Sequence, residues 1–524
     1  MDDILTYDFK NLFVLDLANN HQGDLEHGMK IIKAMGEQAK KQGVRAGLKF
    51  QFRQLDSFIH PDHKENSDAK HIPRFLDTRM GPDGYRKLLK EIQNQGMISI
   101  STPFDEESIP YIVDMDIDIL KIASCSAKDW PLLEAAAESG KPVICSTGGL
   151  TLDEIDALYS FFMHRGVDFA FMHCVSIYPT PAEDLQLNQI DLFLKRYPDV
   201  TVGWSTHEEQ DETAPIQIAY AKGARMFERH VGIENDKIKL NKYSSTPEQV
   251  DVWFGAYNKA VAMCGATEGR PPARDIEIDA IKTLQRGVYA KELIPAGTEL
   301  TRDLVYFAMP IQEGQISSGQ LKKGIIVQKD IKENEGAFVE NLELPKESED
   351  MVIKKAIHEV KAMLHEAGVL LNADFKTEYS HHHGIAKFRE VGAVLVDIVN
   401  REYCKKIIVQ LPGQVHPQHY HQLKEETFQV LSGELIVILE GKKRILYPGD
   451  TCLVQPGMWH AFRTETGCVF EEISTKHYND DSYYKDKKIN AMERSERKTV
   501  VNHWGRYELP EKIRRKGIKS VKAA

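Results

Sequence analysis

The sequence predicts an α/β chain that opens with a (β/α)8 barrel, continues through a small module of short strands, and ends in an all-β barrel. Three observations predict this. Within residues 1–268, eight short β-type runs alternate with amphipathic helical stretches, the size and rhythm of one closed parallel barrel. A linker-like GRPPARD (269–275) then leads into short strands around a Pro-Ala-Gly turn. Beyond a helical connector (351–367), the pattern becomes short strands separated by glycines: KKIIVQLPG, ETFQVLSG, ELIVILEG and KRILYPG. A doubly wound sheet is the alternative for the first segment, but it rarely shows eight such regular units.

The eight runs are LFVLDLA (12–18), AGLKFQF (46–52), MISIST (97–102), DILKIAS (118–124), PVICST (142–147), DFAFMHC (168–174), VTVGWS (200–205) and RMFERHV (225–231). Between them lie helical patterns such as 29–43 and 132–140, the latter ending in a capping glycine. In a barrel of this kind the chemistry sits at the strand C-termini. Polar residues gather there: Asp16, Asn19, Asn20 and His21, then Lys49, Gln51, Thr102, Lys121, Ser124, Ser146, Thr147, Ser176, Tyr178, Ser205, His207 and His230. Period-two alternation puts Lys49 with Gln51, and Glu228 with His230, on common faces. Two neutral imidazoles on adjacent strands can hold a divalent metal with positions left open for substrate, although satisfied structural histidines are the commoner case. A lysine in an apolar strand needs an anion. Two lysines and several hydroxyls at one mouth suggest a substrate carrying phosphate and carboxylate. Separate salt bridges and solvated strand ends are the plainer alternative. The polar stretch between Gln54 and Gly84 reads as a long βα loop over the mouth.

Composition bounds the function. The 524 residues suggest two to four domains, and 42% hydrophobic with 28% charged residues is ordinary for a soluble globular protein. A net charge of −11 argues against a nucleic-acid surface, and the basic tail (Arg514, Arg515, Lys516, Lys519, Lys522) reads as solvated. Seven cysteines without a CxxC pair fit a reducing cytoplasm. The acidic N-terminus has no signal-peptide core, and no apolar run is long enough to span a bilayer.

The motifs carry a resemblance. VLDLANNHQG (14–23), LKFQ (48–51), STPFD (101–105), LKIAS (120–124), CSTGG (145–149), HCVSIYPTP (173–181) and GWSTH (203–207) match, in order and spacing, the sialic acid synthase family. The resemblance covers residues 10–265 and implies a TIM barrel that condenses phosphoenolpyruvate with an aldose into a 2-keto-3-deoxy sugar acid. It implies a divalent metal, manganese or magnesium, on His207 and His230. Lys49, Thr102, Lys121, Ser124, Ser146, Ser176, Tyr178 and Ser205 match its phosphoenolpyruvate-binding positions. The departures fall where the resemblance expects contact with the sugar: Asp16 stands for a glutamate, Ser126 for another, KLNKYS (239–244) for PDHKAS, and Met309 for an arginine. They weaken N-acetylmannosamine as the aldose and leave Asp16 as the carboxylate for orienting the sugar or moving protons.

The run GTELTRDL (297–304) resembles the antifreeze-like (SAF) module that follows the barrel in such synthases, used for dimerisation or for direct substrate contact. The last segment carries G-x5-H-x-H-x4-E-x6-G (Gly413, His419, His421, Glu426, Gly433) and PGDTCLVQPGMWH with His460, which resembles a cupin. His419, His421, Glu426 and His460 then form a 3-His/1-carboxylate site for Mn2+, Zn2+, Fe2+ or Ni2+. The spacing through Lys424 is similar to cupin-type sugar ketol-isomerases, in which the lysine would polarise a carbonyl or steady an enediolate; a solvated strand-end lysine is the alternative. On that resemblance His381, His382 and His383 would line the mouth of this barrel, with no mechanism attached. The expected domains are 1–268, 280–346, 347–500 and a basic tail 501–524, in a homodimer that uses phosphoenolpyruvate and an aldose.

Overall fold

The computed structural model describes residues 7–64, 69–266, 269–346, 348–371 and 376–501, so the basic tail lies, Val501 apart, outside the described residues. Two compact units divide the chain at Pro272.

In the first unit, β1 (Leu12–Asp16), β2 (Arg45–Phe52), β3 (Ile98–Pro103), β4 (Ile119–Ile122), β5 (Val143–Ser146), β6 (Phe169–Cys174), β7 (Thr201–Ser205) and β8 (Met226–Val231) pair parallel in chain order. β8 pairs back onto β1 and closes the barrel. Every strand lies within two residues of its expected place. Alternation decides what faces where. Phe13, Leu15, Leu48, Phe50 and Phe227 point outward into the shell of helices. Leu12, Val14, Ile100, Ile119, Ile144, Ala170, Met172 and Met226 point inward and fill the lower half of the barrel with a separate apolar floor. Gly203 belongs to that inner layer: a Cβ there would lie 2.6 Å from the Met226 Cβ, so only glycine fits.

The helices start and stop where their caps do. The pattern read over 29–43 is Leu25–Gln42, because the Asp24 side chain accepts the Glu26 and His27 N–H groups and Gly43 closes the far end at φ 65°. The pattern at 132–140 is Trp130–Glu138, opened by Asp129. The stretch 54–84 differs from expectation. It is not one loop but carries the short helices Leu55–Phe58 and Ile72–Asp77 before the helix Pro82–Asn94 begins. Prolines at the first turns of the last two pre-set their φ angles.

The second unit opens with the helix Asp275–Lys282. A small cluster follows in which Gly287–Ala290 pairs with Val305–Ala308 and Ile326–Val327 with Leu342–Glu343, around a core that includes Val288, Leu300, Ile316 and Val327. The helix Glu349–Glu366 packs Ile353, Ile357, Val360 and Leu364 against Tyr379, Val394, Ile407 and Val409. Beyond it, among the described residues, a seven-stranded and a five-stranded antiparallel sheet form the expected all-β barrel around Phe428, Val430, Val437, Phe462 and Phe470. His381 and His382 are buried and His383 is exposed, so the histidine triple does not act as one surface. Among the described residues no helix is long and apolar enough to cross a membrane.

Candidate functional site

Above the apolar floor of the first barrel, the inward positions turn polar within one layer. Strand register sets Asp16 beside Lys49 on one side and beside His230 on the other. The Lys49 Nζ lies 3.0 Å from Asp16 Oδ2 and 2.5 Å from Glu228 Oε1. The Lys121 Nζ lies 3.2 Å from Glu228 Oε2 and donates to Ser146 Oγ at 2.6 Å. All four ions are almost fully buried. Burial alone would depress the Lys49 amine, but the Asp16 and Glu228 carboxylates outweigh it and hold the amine above the usual lysine range. Burial works against the Glu228 carboxylate too, and Lys121 and Lys49 overcome it, keeping its pKa well below the usual range. Both lysines face carboxylates at ion-pair distance, in a site that can exchange those partners for a doubly anionic substrate.

The paired histidines close this layer, with ring centroids 5.5 Å apart. His207 Nδ1 is 2.9 Å from the Val175 carbonyl, which can only accept, so Nδ1 carries the hydrogen and Nε2 keeps its lone pair. His230 Nδ1 lies 3.4 Å from Asp16 Oδ2, and burial lowers its pKa to about 4, so its ring is neutral. His207 is pulled both ways: burial lowers it, while the neighbouring Cys174 raises it, so a cation there competes with a proton. Two imidazoles with a carboxylate beside them suit a hard or borderline divalent cation such as manganese or magnesium.

The expected hydroxyls surround this centre. Gly148 N–H donates to Ser124 Oγ at 3.0 Å. A Cβ on Gly148 would fall 2.6 Å from Ser176 Oγ and 2.8 Å from Ser124 Oγ, so glycine is what lets the two hydroxyls converge. Thr102 Oγ1 is buried without a hydrogen-bond partner among the described residues, and Ser205 sits in register with Glu228. Tyr178 stands at the rim, exposed, with its ring 4.2 Å from that of His207. Alternation puts Glu228 on the His230 face; its function as the shared counter-ion of two lysines emerges only when three strands come together. Tyr243, from the KLNKYS run (239–244), has its ring 5.3 Å from that of His230.

In the second unit, ligand atoms of His419, His421 and His460 all lie within 4.8 Å of one another. Each ring is turned the same way. Nδ1 of His419 faces the Pro417 carbonyl at 3.0 Å, Nδ1 of His460 faces Met458 at 3.1 Å, and Nδ1 of His421 faces Asp481. Carbonyls only accept, so three Nε2 lone pairs converge. Glu426 brings Oε1 to 3.4 Å from His421 Nε2 and Oε2 to 3.2 Å from His460 Nε2. Glu426 Oε2 and His460 Nε2 are both buried with no hydrogen-bond partner among the described residues, which fits donors arranged for a cation.

Lys424 corrects the solvated alternative. It is buried, ion-paired to Glu426 and, at 3.0 Å, to Glu472, and these carboxylates raise its amine despite the opposing effect of burial. Neither Glu472 nor His416 belongs to the cupin spacing pattern; the His416 ring stacks on Phe462 with centroids 4.5 Å apart and lies 4.8 Å from that of His419.

Comparison with known proteins agrees with this division. Residues 407–471 match the cupin domain and residues 35–268 match the NeuB family. A crystal structure of a spore coat polysaccharide biosynthesis protein E from Chromobacterium violaceum is 42% identical, covering 64% of this chain and all of that one at a TM-score of 0.61. The chain belongs to the NeuB family. An uncharacterized protein of Methanocaldococcus jannaschii is 31% identical over 56% of this chain and 82% of its own length. The pseudaminic acid synthase of Campylobacter jejuni strain 81-176 is 29% identical over 61% of this chain and 88% of its own. This NeuB-family chain thus joins a sialic acid synthase-like barrel to a C-terminal cupin domain.

Proposed function

We propose that the NeuB-family barrel condenses phosphoenolpyruvate with an aldose to give a 2-keto-3-deoxy sugar acid and phosphate. The observation that carries this reading is the buried Lys49–Glu228–Lys121 bridge beneath converging hydroxyls and beside two imidazoles. Lys49 and Lys121 bind the phosphate and carboxylate of phosphoenolpyruvate, while Thr102, Ser124, Ser146, Ser176, Tyr178 and Ser205 orient it. A divalent cation bound by His207 and His230 would supply polarisation of the aldose carbonyl. C3 of phosphoenolpyruvate forms the new bond to C1 of the aldose, water adds at C2, and phosphate leaves from C2. Asp16, poised between Lys49 and His230, orients the sugar and receives or returns the proton.

The positions Asp16, Ser126 and Leu240, where the chain departs from the family at residues expected to meet the sugar, favour an aldose other than N-acetylmannosamine. Phosphate release from phosphoenolpyruvate across a panel of aldoses tests this. A non-acetylated aldose should exceed N-acetylmannosamine by about tenfold or more in kcat/KM. Preference for N-acetylmannosamine would overturn the reading.

For the cupin we propose metal-dependent isomerisation of a ketose into the aldose that the barrel consumes. The buried Lys424, set between Glu426 and Glu472 beside the histidine triad, favours chemistry over mere sugar binding. Lys424→Met is expected to block product formation from ketose plus phosphoenolpyruvate while sparing condensation of the matching aldose. If the intact chain never uses ketose, or the variant uses it equally well, the cupin binds sugar or serves assembly instead.

A further inference from the structure

The cavity around the histidine triad of the cupin holds more positive charge than the proposed isomerisation uses. Two consecutive lysines on the strand Tyr403–Gln410 take opposite faces of their sheet. Lys405 turns outward and pairs with Glu471 at 2.9 Å. Lys406 turns inward, is buried, and lines the cavity together with Lys424, Glu426, Glu472 and Lys498.

These charges are answered unequally. Lys424 has Glu426 and, at 3.0 Å, Glu472. Lys498 and Arg494 take Glu378, which Lys406 reaches only at longer range. Glu472, in register with Lys406 on the next strand, accepts from Lys424 and from Ser474 Oγ and lies beyond ion-pair distance of Lys406. What remains for Lys406 is Asp397 on a half-exposed side chain, whose Oδ1 stands 3.5 Å away and makes no hydrogen bond among the described residues. Lys406, Lys424 and Lys498 all act on the His477 ring, which burial and then these charges keep neutral, and its Nδ1 is buried without a partner among the described residues. A buried ammonium without a hydrogen-bonded counter-ion costs free energy that a bound anion recovers. A neutral ketose offers it hydroxyls alone, whereas a carboxylate offers charge and two acceptors. Ser380, Ser482 and Tyr484 add hydroxyls to the same walls, suited to the remainder of a sugar.

Within the proposed chemistry one sugar carries a carboxylate, the 2-keto-3-deoxy acid that leaves the barrel. We infer that the cupin cavity binds this acid, its carboxylate on Lys406, in competition with the ketose, so that accumulating product slows the supply of aldose. The identity of the acid rests on the proposed condensation, and the carboxylate subsite rests on the cavity alone. Lys406 is thereby a binding residue and takes no part in bond making.

The test is calorimetry on the full chain with manganese and saturating phosphoenolpyruvate, which occupies the barrel mouth. The probe is 2-keto-3-deoxygluconate, a six-carbon acid of this class, compared with its methyl ester and with the acidic ketose fructuronate. The acid is expected to bind about 10- to 100-fold more tightly than the ester, the range of a charge-assisted contact. Lys406→Met should bring acid and ester within about twofold of each other, and Lys406→Arg should keep part of the difference. Should Lys406→Met fail to fold, Lys406→Gln, which keeps a polar end without charge, makes the same comparison. In isomerisation of a neutral ketose, followed without phosphoenolpyruvate, added acid should raise the apparent KM for the ketose at unchanged kcat. Equal binding of acid and ester overturns the inference, as does a difference that survives the loss of the lysine, or inhibition that does not compete with the ketose. Tighter binding of fructuronate than of the 2-keto-3-deoxy acid assigns the carboxylate to the cupin's substrate and overturns it too. If no ketose is isomerised, the isomerase reading fails and calorimetry alone decides. If no aldose releases phosphate, the condensation reading fails, and acid against ester at Lys406 still decides the subsite.

Discussion

Glu228→Gln is expected to lower the free energy of unfolding by about 3–5 kcal/mol, the range for breaking a buried ion pair from one side. The carboxylate touches both Lys49 and Lys121, and glutamine would leave Lys121 without a carboxylate and Lys49 with Asp16 alone. Urea denaturation of the first unit's signal measures the loss, and a change below about 1 kcal/mol would show that water or relaxation already screens the lysines. The sign with pH follows from the lowered Glu228 pKa. Its contribution is fully present above the ordinary glutamate range and is lost as pH falls through the folded value, so the gap between parent and variant should be constant near neutrality and shrink in acid. Phosphoenolpyruvate bound as proposed would bring its own negative charge to the lysines, so it should stabilise the variant more than the parent.

His207→Ala or His230→Ala should reduce phosphate release at least about a thousandfold, equivalent to about 4 kcal/mol of barrier, with little change in folding. Each ring sits at the top of the barrel, clear of the apolar floor, and gives its space to the mouth when removed. On the proposed mechanism the loss follows from the aldose carbonyl no longer being polarised and positioned at the end of C3. Activity is measured after chelation and metal readdition. Full turnover by the metal-stripped parent would remove the metal from the reaction, and near-normal turnover by both variants would remove the histidines.

Much of this molecule was legible because its signals are local. The strand runs place β1 to β8 within two residues, since alternation and flanking helices are properties of neighbouring residues. The candidate metal-binding residues of the cupin are legible for the same reason: His419 and His421 are two positions apart, Glu426 is five further on, and His460 comes from the strand that pairs with theirs. Caps were harder, and the helix read from 29 begins at Leu25 because the Asp24 side chain supplies the missing acceptor. The stretch 54–84 reads as a single loop in the sequence because helices of four and six residues have too little periodicity to register.

The sequence by itself determined the barrel, the cupin, the hydroxyl and lysine positions at the mouth, and both sets of histidines. Only the tertiary structure decided which charges neutralise one another and which do not. Closure brings β8 against β1, so Glu228 reaches Lys49 across 179 residues and His230 reaches Asp16 across the seam. In the second unit, strand pairing leaves Lys406 with Asp397 at 3.5 Å and no hydrogen bond to it. Alternation along a strand tells which face a side chain takes, but a buried charge is satisfied or left open by residues on other strands, and their distance is set only when the sheet closes.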